Sequence, residues 1–335
     1  MKKLMMGMVS VFLIFSVSQG SAQPVKLKLS TVVPPSGPPV VNFLKPWVEI
    51  VKKESQGALE IEVYPGGVLG RNVKQYFEQV DAGVFDIAFI YPAYFGDRFP
   101  WADLFNVPFT AKTYHEAAVS AQRMLDRGLF KGLENYLVLT LFGTSPFYFF
   151  NTFPAKLPED MKGHKGRSGS KFQSDLMTQL GMTPIAMEFT QTTESLSRGL
   201  IDSTIASPFV AKMTKANEVA KHALELPIGN FGMLLVMNKK KYQDLPPAAK
   251  ATLDQRRGEW LAKYAAETMG PPDEKTMAEF KKDPNMTVYE PKGGDLGKWQ
   301  GAVQPVIEKW KKASPENEKW LKVLYEELAR IRSGK

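Results

Sequence analysis

Residues 25–90 alternate between two hydrophobic periods, and this alternation limits the fold more than any other feature of the chain. Val25, Leu27 and Leu29 recur at every second position, which is the period of a β-strand with one buried face. From Pro39 the apolar residues recur at helical spacing, and two apolar strands follow, "ALEIEVYPGG" and "VFDIAFIYP", with a short helix between them. The order β-α-β-α-β predicts an α/β fold whose parallel sheet is covered by helices on both faces.

Ligands of such parallel sheets bind at the carboxyl ends of the strands. The segments that follow the three predicted strands are "TVVPPSG", "YPGGVLG" and "IYPAYFG". We therefore expect these three segments to form one side of a binding site.

The second half of the chain continues the α/β pattern and contains one unusually long helix. The apolar stripe predicts a helix from Ala248 to Met269, which would be roughly 33 Å long at 1.5 Å per residue. The "GPP" at 270–272 is expected to break or kink it. A helix of this length is long enough to lie across the two domains that a chain of 335 residues usually forms.

The N-terminus has the pattern of a secretory signal peptide. Lys2 and Lys3 precede an apolar run from Leu4 to Val17, and small residues follow up to Ala22. The run is shorter than the roughly 20 residues that span a bilayer. We therefore predict that residues 1–22 are a signal peptide, that cleavage occurs after Ala22, and that the protein is periplasmic.

Composition excludes several classes of function. The chain has no cysteine, so disulfides, thiolate catalysis and cysteine-ligated metals are absent. Its net charge of +8 falls to +6 when Lys2 and Lys3 are removed with the signal. The basic residues form no long run, and we therefore predict a soluble exported protein that does not bind nucleic acid.

Motifs for catalysis are also missing. The three histidines, His115, His164 and His222, are far apart and lack metal-ligand spacing. The chain contains no nucleophile elbow, phosphate loop or dinucleotide fingerprint. We predict that the protein is not an enzyme and carries neither a metal nor a cofactor.

One arginine stands in an unusual context. In "DMKGHKGRSG", Arg167 lies among three glycines, and no acidic residue follows it until Asp175. The segment upstream, "FGTSPFYFFN", is almost wholly apolar. A cluster of this kind is either a solvated basic turn or a site for an anion.

Several spaced motifs resemble one family. The segment from "KLKLSTVVPPSGPP" through "YPGGVLG" and "DAGVFDIAF" to "FNVPF", followed by "LPEDMKGHKGRSGS" and "VMNKKKYQDLPPAAKATL", is similar to the DctP-type solute receptors of tripartite ATP-independent periplasmic (TRAP) transporters. The resemblance covers nearly the whole chain after the signal, and the motifs occur in the family's order.

This resemblance implies a two-domain periplasmic binding protein of type II-like fold, with crossing hinge strands and a long domain-spanning helix. We assign residues 23–145 plus 236–272 to domain I and residues 146–235 plus 273–335 to domain II, with the ligand cleft between them. The family arginine falls on Arg167, which would form a salt bridge with the carboxylate of a small solute. The partner would be the membrane permease of a TRAP transporter, and the receptor would act as a monomer.

The chain departs from the family at positions where other members carry polar residues that contact the solute. Gln191 stands where a glutamate is usual, and Ala206, Ser207 or Phe209 must replace an asparagine. Segments expected at the cleft carry many aromatic residues instead. Beside Arg167 we expect the ligand-binding residues to be Tyr91, Phe147, Phe189, Ser207, Phe209, Asn230 and Phe231, with Tyr148 a further aromatic candidate.

These features predict a monocarboxylate with an aromatic or branched apolar body, such as an aryl or aliphatic 2-oxo acid. Four alternatives stay open. The solute is a short dicarboxylate if Arg71 or Arg98 supplies a second cation, or it is a sugar acid. A sensory receptor would have the same fold and pocket, and an exported enzyme would instead turn over a small acid.

Overall fold

The computed structural model describes residues 23–335. The predicted signal peptide and its cleavage site after Ala22 lie outside the described residues. Within residues 23–335, we find no helix with the length and apolar character needed to cross a membrane.

Strands and helices alternate along most of the described chain. The strands are β1 (Val25–Ser30), β2 (Leu59–Tyr64), β3 (Ile87–Ile90), β4 (Tyr136–Gly143), β5 (Tyr148–Asn151), β6 (Lys165–Ser168), β7 (Thr183–Ala186), β8 (Ser203–Ala206), β9 (His222–Leu224), β10 (Gly232–Asn238) and β11 (Thr287–Tyr289). The helices are α1 (Lys45–Glu54), α2 (Tyr76–Asp81), α3 (Tyr114–Asp126), α4 (Lys171–Gln179), α5 (Thr192–Ser197), α6 (Pro208–Met213), α7 (Lys239–Gln243), α8 (Pro247–Gln255), α9 (Glu259–Phe280), α10 (Gly293–Lys312) and α11 (Pro315–Arg332). Short helical turns lie at Pro39–Leu44, Val73–Gln75, Pro92–Arg98, Pro100–Asn106, Pro158–Met161, Phe189–Gln191 and Ala216–Glu218.

The first sheet has the order β2-β1-β3-β10-β4. Strand β1 pairs in parallel with β2 and β3, as the alternation of hydrophobic periods predicts. Strand β3 is buried on both faces: Ile87 and Phe89 pack with α1 and α9, and Ala88 and Ile90 pack with α2. Helices therefore cover this sheet on both sides, and the predicted β-α-β-α-β unit is confirmed.

The second sheet has the order β11-β9-β5-β8-β6-β7. Within this sheet, β6 lies between β7 and β8 and pairs in parallel with both. The carboxyl ends of these three strands therefore lie at one edge. Strand β5 runs antiparallel to β8 and β9. Two mixed sheets with packed helices confirm the predicted α/β class.

Two neighbouring connections link the sheets, from β4 to β5 and from β9 back to β10. These connections, residues 144–147 and 228–231, are called the crossing ribbon. The amide of Thr144 donates to the carbonyl oxygen of Phe231 at 3.0 Å, and the amide of Phe147 donates to that of Gly229 at 2.8 Å. The ribbon is thus a pair of hydrogen-bonded crossing strands, as predicted.

The long helix lies further along the chain than the sequence predicts. The expected helix from Ala248 to Met269 is wrong, because Gly258 adopts a left-handed φ of 65° and separates α8 from α9. Helix α9 instead continues through Pro271 and Pro272, which are interior residues of the helix. Proline removes only its own amide donor, and the packing of α9 on its neighbours evidently exceeds that loss.

Helix α9 reaches from the first sheet to the second. It packs against α3 and β4 in the first layer and against α6 in the second. Near its end, the ring of Phe280 lies 5.9 Å from that of Phe150 in β5, with an interplanar angle of 75°. The predicted domain-spanning helix is therefore confirmed, with shifted bounds.

The two C-terminal helices pack on different parts of the molecule. Helix α10 contacts α4 beside the second sheet, and α11 contacts α3 beside the first. Arg332 at the end of α11 forms an ion pair with Glu116 of α3, with 2.8 Å between Nη2 and Oε2. The residue bounds given above for the two domains stay a prediction.

Candidate ligand-binding site

A cavity lies where the two sheets meet at the crossing ribbon. Tyr91 and Tyr94, which line it, follow the carboxyl end of β3 in the first sheet. Arg167 enters from β6 of the second sheet, and Phe147 and Phe231 belong to the ribbon. The cavity therefore draws its walls from both halves of the molecule.

Arg167 is the one charged side chain among the lining residues of this cavity in the described chain. It is only 4% exposed, and its Nε donates to the carbonyl oxygen of Met187 at 3.1 Å. Its Nη2 is buried and has no hydrogen-bond partner within residues 23–335. Burial lowers the pKa of Arg167, while Tyr94 and Glu188 act in the opposite direction. A guanidinium stays charged at neutral pH, so this cation is held ready for an anion.

Two glycines make room for the arginine. A Cβ atom on Gly169 would lie 2.9 Å from both Nη1 and Nη2 of Arg167, which is closer than real Cβ contacts. A Cβ atom on Gly166 would lie 2.8 Å from the sulfur of Met177. The glycine-rich context of Arg167 thus follows from close packing against the guanidinium and behind its strand.

Aromatic rings form one wall of the cavity. The rings of Phe147 and Phe231 are stacked, with centroids 5.8 Å apart and an interplanar angle of 17°. The rings of Tyr91 and Tyr94 lie edge-on to Phe231 at 6.2 Å and 6.3 Å. Phe189 also lines the cavity. Burial raises the pKa of both tyrosines, so their hydroxyls remain protonated at neutral pH.

Three threonines line the opposite side, and sequence reasoning missed them. Thr204 of β8 pairs in register with Arg167 of β6, Thr192 begins α5, and Thr214 follows α6. The hydroxyl of Thr214 donates to the carbonyl oxygen of Val210 at 2.9 Å. No sequence motif marks these threonines. The pairing of β6 with β8 brings Thr204 into register with Arg167, and Thr192 and Thr214 reach the cavity from the start of α5 and the end of α6.

Small and aliphatic side chains complete the lining. They are Ile205, Ala206, Val210, Ala216 and Met233. Ala206 thus stands in the cavity at the place where the family resemblance led us to expect an asparagine substitute. Gln191, the other departure, is exposed and does not line the cavity.

The predicted site residues separate into two groups. Arg167, Tyr91, Phe147, Phe189 and Phe231 meet in the cavity. The others do not line it: they are Ser207, Phe209, Asn230 and the further candidate Tyr148.

Local structure explains where this second group goes. Ser207 caps α6, and the amide of Phe209 donates to Oδ1 of Asp273 at 2.8 Å, so both face α9. The amide of Asn230 donates to the carbonyl oxygen of Phe105 at 2.7 Å, which ties the ribbon to the helical turn Pro100–Asn106. Tyr148 lines a separate cavity beside α9.

A second cavity adjoins the first and shares Tyr91, Tyr94 and Phe189 with it. All three predicted strand-end segments contribute to it, through Val32 and Val33, through Gly66, Gly67 and Arg71, and through Tyr91 and Tyr94. Of the two further cations considered from the sequence, Arg71 lines this outer cavity. Arg98 instead lies over the ring of Phe77, with 3.9 Å between Cζ and the ring centroid.

The described residues contain no cluster of histidine and acidic side chains suited to a metal ion. The polar groups at the cavity are hydroxyls and one guanidinium. Such groups bind and orient an organic anion, and they do not offer a metal its usual ligands.

Comparison with known proteins identifies relatives among bacterial solute-binding proteins. Residues 29–313 match the family model described as bacterial extracellular solute-binding protein, family 7 (DctP). The C4-dicarboxylate-binding periplasmic protein DctP of Rhodobacter capsulatus is 27% identical over 289 residues, covering 85% of this chain and 86% of the relative.

Two solved structures share the fold. A TRAP solute-binding protein from an unidentified marine microbe, specific for aromatic acid ligands and co-crystallised with 3-hydroxybenzoate, is 25% identical with a TM-score of 0.85, covering 92% of this chain and 99% of that one. A TRAP solute-binding protein of Rhodoferax ferrireducens with copurified benzoate is 24% identical with a TM-score of 0.84, again covering 92% and 99%. Both are two-domain proteins of the architecture described above.

Proposed function

The chain belongs to the bacterial extracellular solute-binding proteins of family 7, the DctP-type receptors of TRAP transporters, and we propose that its solute is an aromatic monocarboxylate bound through Arg167. Proteins of this family bind small organic acids and work with membrane permease subunits. The identity of the acid and the way it is held are the subject of the proposal.

One observation carries the proposal: the buried side chain of Arg167 lines a cavity walled by stacked rings, and its Nη2 has no hydrogen-bond partner in the described chain. An unpaired cation in an apolar environment is strongly unfavourable, and a carboxylate satisfies the guanidinium fork with two parallel hydrogen bonds. The free donors of Arg167 therefore favour a carboxylate as the anchored group.

The rest of the lining favours an aromatic body. Phe147 and Phe231 present ring faces, and Tyr91 and Tyr94 present ring edges, which suits the offset and edge-to-face contacts of a planar ligand ring. A sugar acid needs a donor or acceptor for each of its hydroxyls, since a buried unpaired polar group costs roughly 1–3 kcal/mol. Most of the lining side chains are apolar, and the Thr214 hydroxyl is already bonded within the chain, which favours an aromatic acid over a sugar acid. The 3-hydroxybenzoate bound by the marine relative agrees with this choice.

A short dicarboxylate is the second candidate. Arg71 lines the outer cavity, beyond the shared residues Tyr91, Tyr94 and Phe189, and the Rhodobacter capsulatus relative is named for C4-dicarboxylates. Arg71 is exposed, whereas Arg167 is buried. A contact with a solvated cation contributes less than one with a buried cation, so we rank the dicarboxylate below the aromatic acid.

Calorimetric titration with a matched panel tests the proposal. The panel consists of benzoate, phenylpyruvate, 4-methyl-2-oxopentanoate, succinate and glucuronate. We expect the two aromatic acids to bind most tightly, the branched 2-oxo acid next, and succinate and glucuronate at least about thirtyfold more weakly. Micromolar binding of glucuronate together with no binding of either aromatic acid would overturn the aromatic assignment and leave the receptor function intact.

Delivery is proposed to follow closure of the two halves around the acid. The solute would contact Arg167 from one side and the rings after β3 from the other, so it stabilises the closed state by its differential affinity. The receptor would act as a periplasmic monomer that presents the closed form to a permease. Uptake of radiolabelled benzoate by cells with and without the gene distinguishes this role from sensing, in which uptake is unchanged.

A further inference from the structure

Among the hydroxyl-bearing residues that line the cavity, Thr192 and Thr204 are the two that are buried. They are 4% and 2% exposed, both line the cavity, and neither hydroxyl makes a hydrogen bond to another residue of the described chain. Thr214 also lines the cavity, but its hydroxyl is already bonded to the carbonyl oxygen of Val210. Two cavity-lining hydroxyls that are not engaged elsewhere in the described chain can donate to or accept from a bound ligand.

Thr204 lies beside the anchoring arginine. Its Cα is the register partner of Arg167 across the parallel β6–β8 pair, and paired residues project toward the same face of a sheet. Both side chains line the same cavity, so a ligand carboxylate bound by the guanidinium is within the region that the Thr204 hydroxyl also lines. A hydroxyl donates to a carboxylate oxygen and leaves the arginine fork undisturbed.

Thr192 lies on a wall without charged groups. The hydroxyl of the next residue, Thr193, donates to the carbonyl oxygen of Thr214 at 2.6 Å, which fixes the start of α5 against the end of α6. The neighbouring lining residues on this wall are Val210 and Ala216. The polar group that Thr192 offers is therefore a neutral hydroxyl in apolar surroundings, suited to a neutral polar substituent.

Resting on the function proposed above, we propose that Thr204 and Arg167 together hold the carboxylate, and that Thr192 selects an aromatic acid that carries a hydroxyl on its ring. The solute class is then a hydroxylated aromatic monocarboxylate. An apolar cavity alone discriminates poorly against such a hydroxyl, whereas a site that hydrogen-bonds it rejects analogues that lack it.

Isosteric variants separate the two roles. The probes are benzoate, 3-hydroxybenzoate, 4-hydroxybenzoate and the two methylbenzoates of the same substitution pattern, titrated by calorimetry. In the wild type, one hydroxybenzoate should bind at least about fivefold more tightly than its methyl counterpart, which is the expected contribution of one buried hydrogen bond. Thr192→Val should bring this ratio to about one and leave benzoate affinity within about twofold, while Thr192→Ser should preserve the ratio.

Thr204→Val should weaken every benzoate derivative by about tenfold regardless of the ring substituent, because it removes a hydrogen bond to the carboxylate. Thr178→Val is the matched control, an exposed threonine of α4 outside the cavity whose hydroxyl is already bonded to the carbonyl oxygen of Ser174 at 2.9 Å, and should change neither quantity. A hydroxyl preference that survives Thr192→Val, or that is lost in Tyr91→Phe instead, overturns the assignment to Thr192. Unchanged affinities in Thr204→Val overturn its role. In both cases the aromatic-acid function stands, whereas a wild type that binds none of the probes overturns both proposals.

Discussion

The Nε of Arg167 donates to the carbonyl oxygen of Met187 at 3.1 Å. This bond fixes the plane of the guanidinium at the end of β6 and leaves the outer nitrogens for a ligand. Met187 follows β7, the strand next to β6 in the sheet, so the position of the anchor is set by backbone pairing. Arg167 is thus oriented before any solute arrives.

We expect Arg167→Ala to weaken binding of the cognate acid at least about thirtyfold, since loss of a buried charge-assisted pair costs on the order of 2–5 kcal/mol. Arg167→Lys should recover only part of this, because an ammonium cannot form the two parallel bonds of the fork. Calorimetry with benzoate measures both. Arg198→Ala, an exposed arginine of the same half, should bind normally. Normal binding by Arg167→Ala would falsify the anion-site assignment.

Gly169→Ala should weaken binding by about tenfold while the melting temperature changes little. The added methyl group would lie 2.9 Å from both outer nitrogens of Arg167, so the guanidinium must shift out of the ligand-binding position. Gly301→Ala in α10 is the control, because a Cβ there meets open space. If Gly169→Ala binds benzoate as tightly as the wild type, the guanidinium is not held where we describe it.

Replacing either stacked ring should reduce selectivity more than stability. Phe147→Leu or Phe231→Leu should lower the preference for benzoate over 4-methyl-2-oxopentanoate by about three- to tenfold, which corresponds to ring contacts of about 0.5–1.5 kcal/mol. Phe153→Leu, whose ring stacks on His164 away from the cavity, should leave the preference unchanged. Equal losses for both acids would mean that the rings act as general core residues.

Asp273 predicts a particular dependence of stability on pH. Burial raises its pKa, although hydrogen bonds from Ser207, from the amide of Phe209 and from Ser145 oppose the shift. A carboxyl that protonates more readily when folded destabilises the native state above its folded pKa, and this penalty disappears as the pH falls through that pKa toward the unfolded value of about 3.9.

The stability of Asp273→Asn relative to the wild type should therefore rise as the pH is raised from 4 to 7, because the wild type alone loses the stabilising protonated form. Urea denaturation at several pH values measures it. Glu274→Gln, the exposed neighbour on the same helix, should show no such trend. A difference that stays constant with pH contradicts the assignment.

Small-angle scattering should show a smaller radius of gyration when the wild type is saturated with its acid. The expected change arises because the solute would contact residues of both halves and would draw them together. Arg167→Ala at the same ligand concentration should keep the larger value. Identical scattering profiles for the free and saturated wild type count against closure.

The N-terminal sheet could be predicted from the sequence because each element carries its own hydrophobic period. The strand β3, apolar at all four positions, and the amphipathic α1 need no distant information to be recognised. The bounds of the long helix could not be predicted in the same way. The hydrophobic pattern is helical on both sides of Gly258, and only the φ of that residue shows where α9 begins.

The residues of the candidate site also fall into two groups: those that the sequence predicts and those that only the fold brings to the cavity. Arg167 is visible in the sequence because a cation among glycines is unusual, and Tyr91, Phe147 and Phe231 follow or precede predicted strands. Thr192 and Thr204 are ordinary threonines that acquire a role only when β6 pairs with β8 and α5 packs on α6. Phe209 is the opposite case. Its position after β8 predicted a place in the ligand cleft, but it does not line the cavity, and its amide donates to Asp273 of α9.

The stacked pair Phe147 and Phe231 lies on the crossing ribbon, whose two strands are joined by backbone hydrogen bonds. The same few residues would therefore serve as the pivot of closure and as the wall against the solute. Bending the ribbon tilts the rings, so an opened receptor loses its flat recognition surface as it exposes the cavity. Release would then need no separate gating segment, because affinity for the acid would fall continuously as the angle between the halves increases. A permease that separates the two halves would thereby also release the acid.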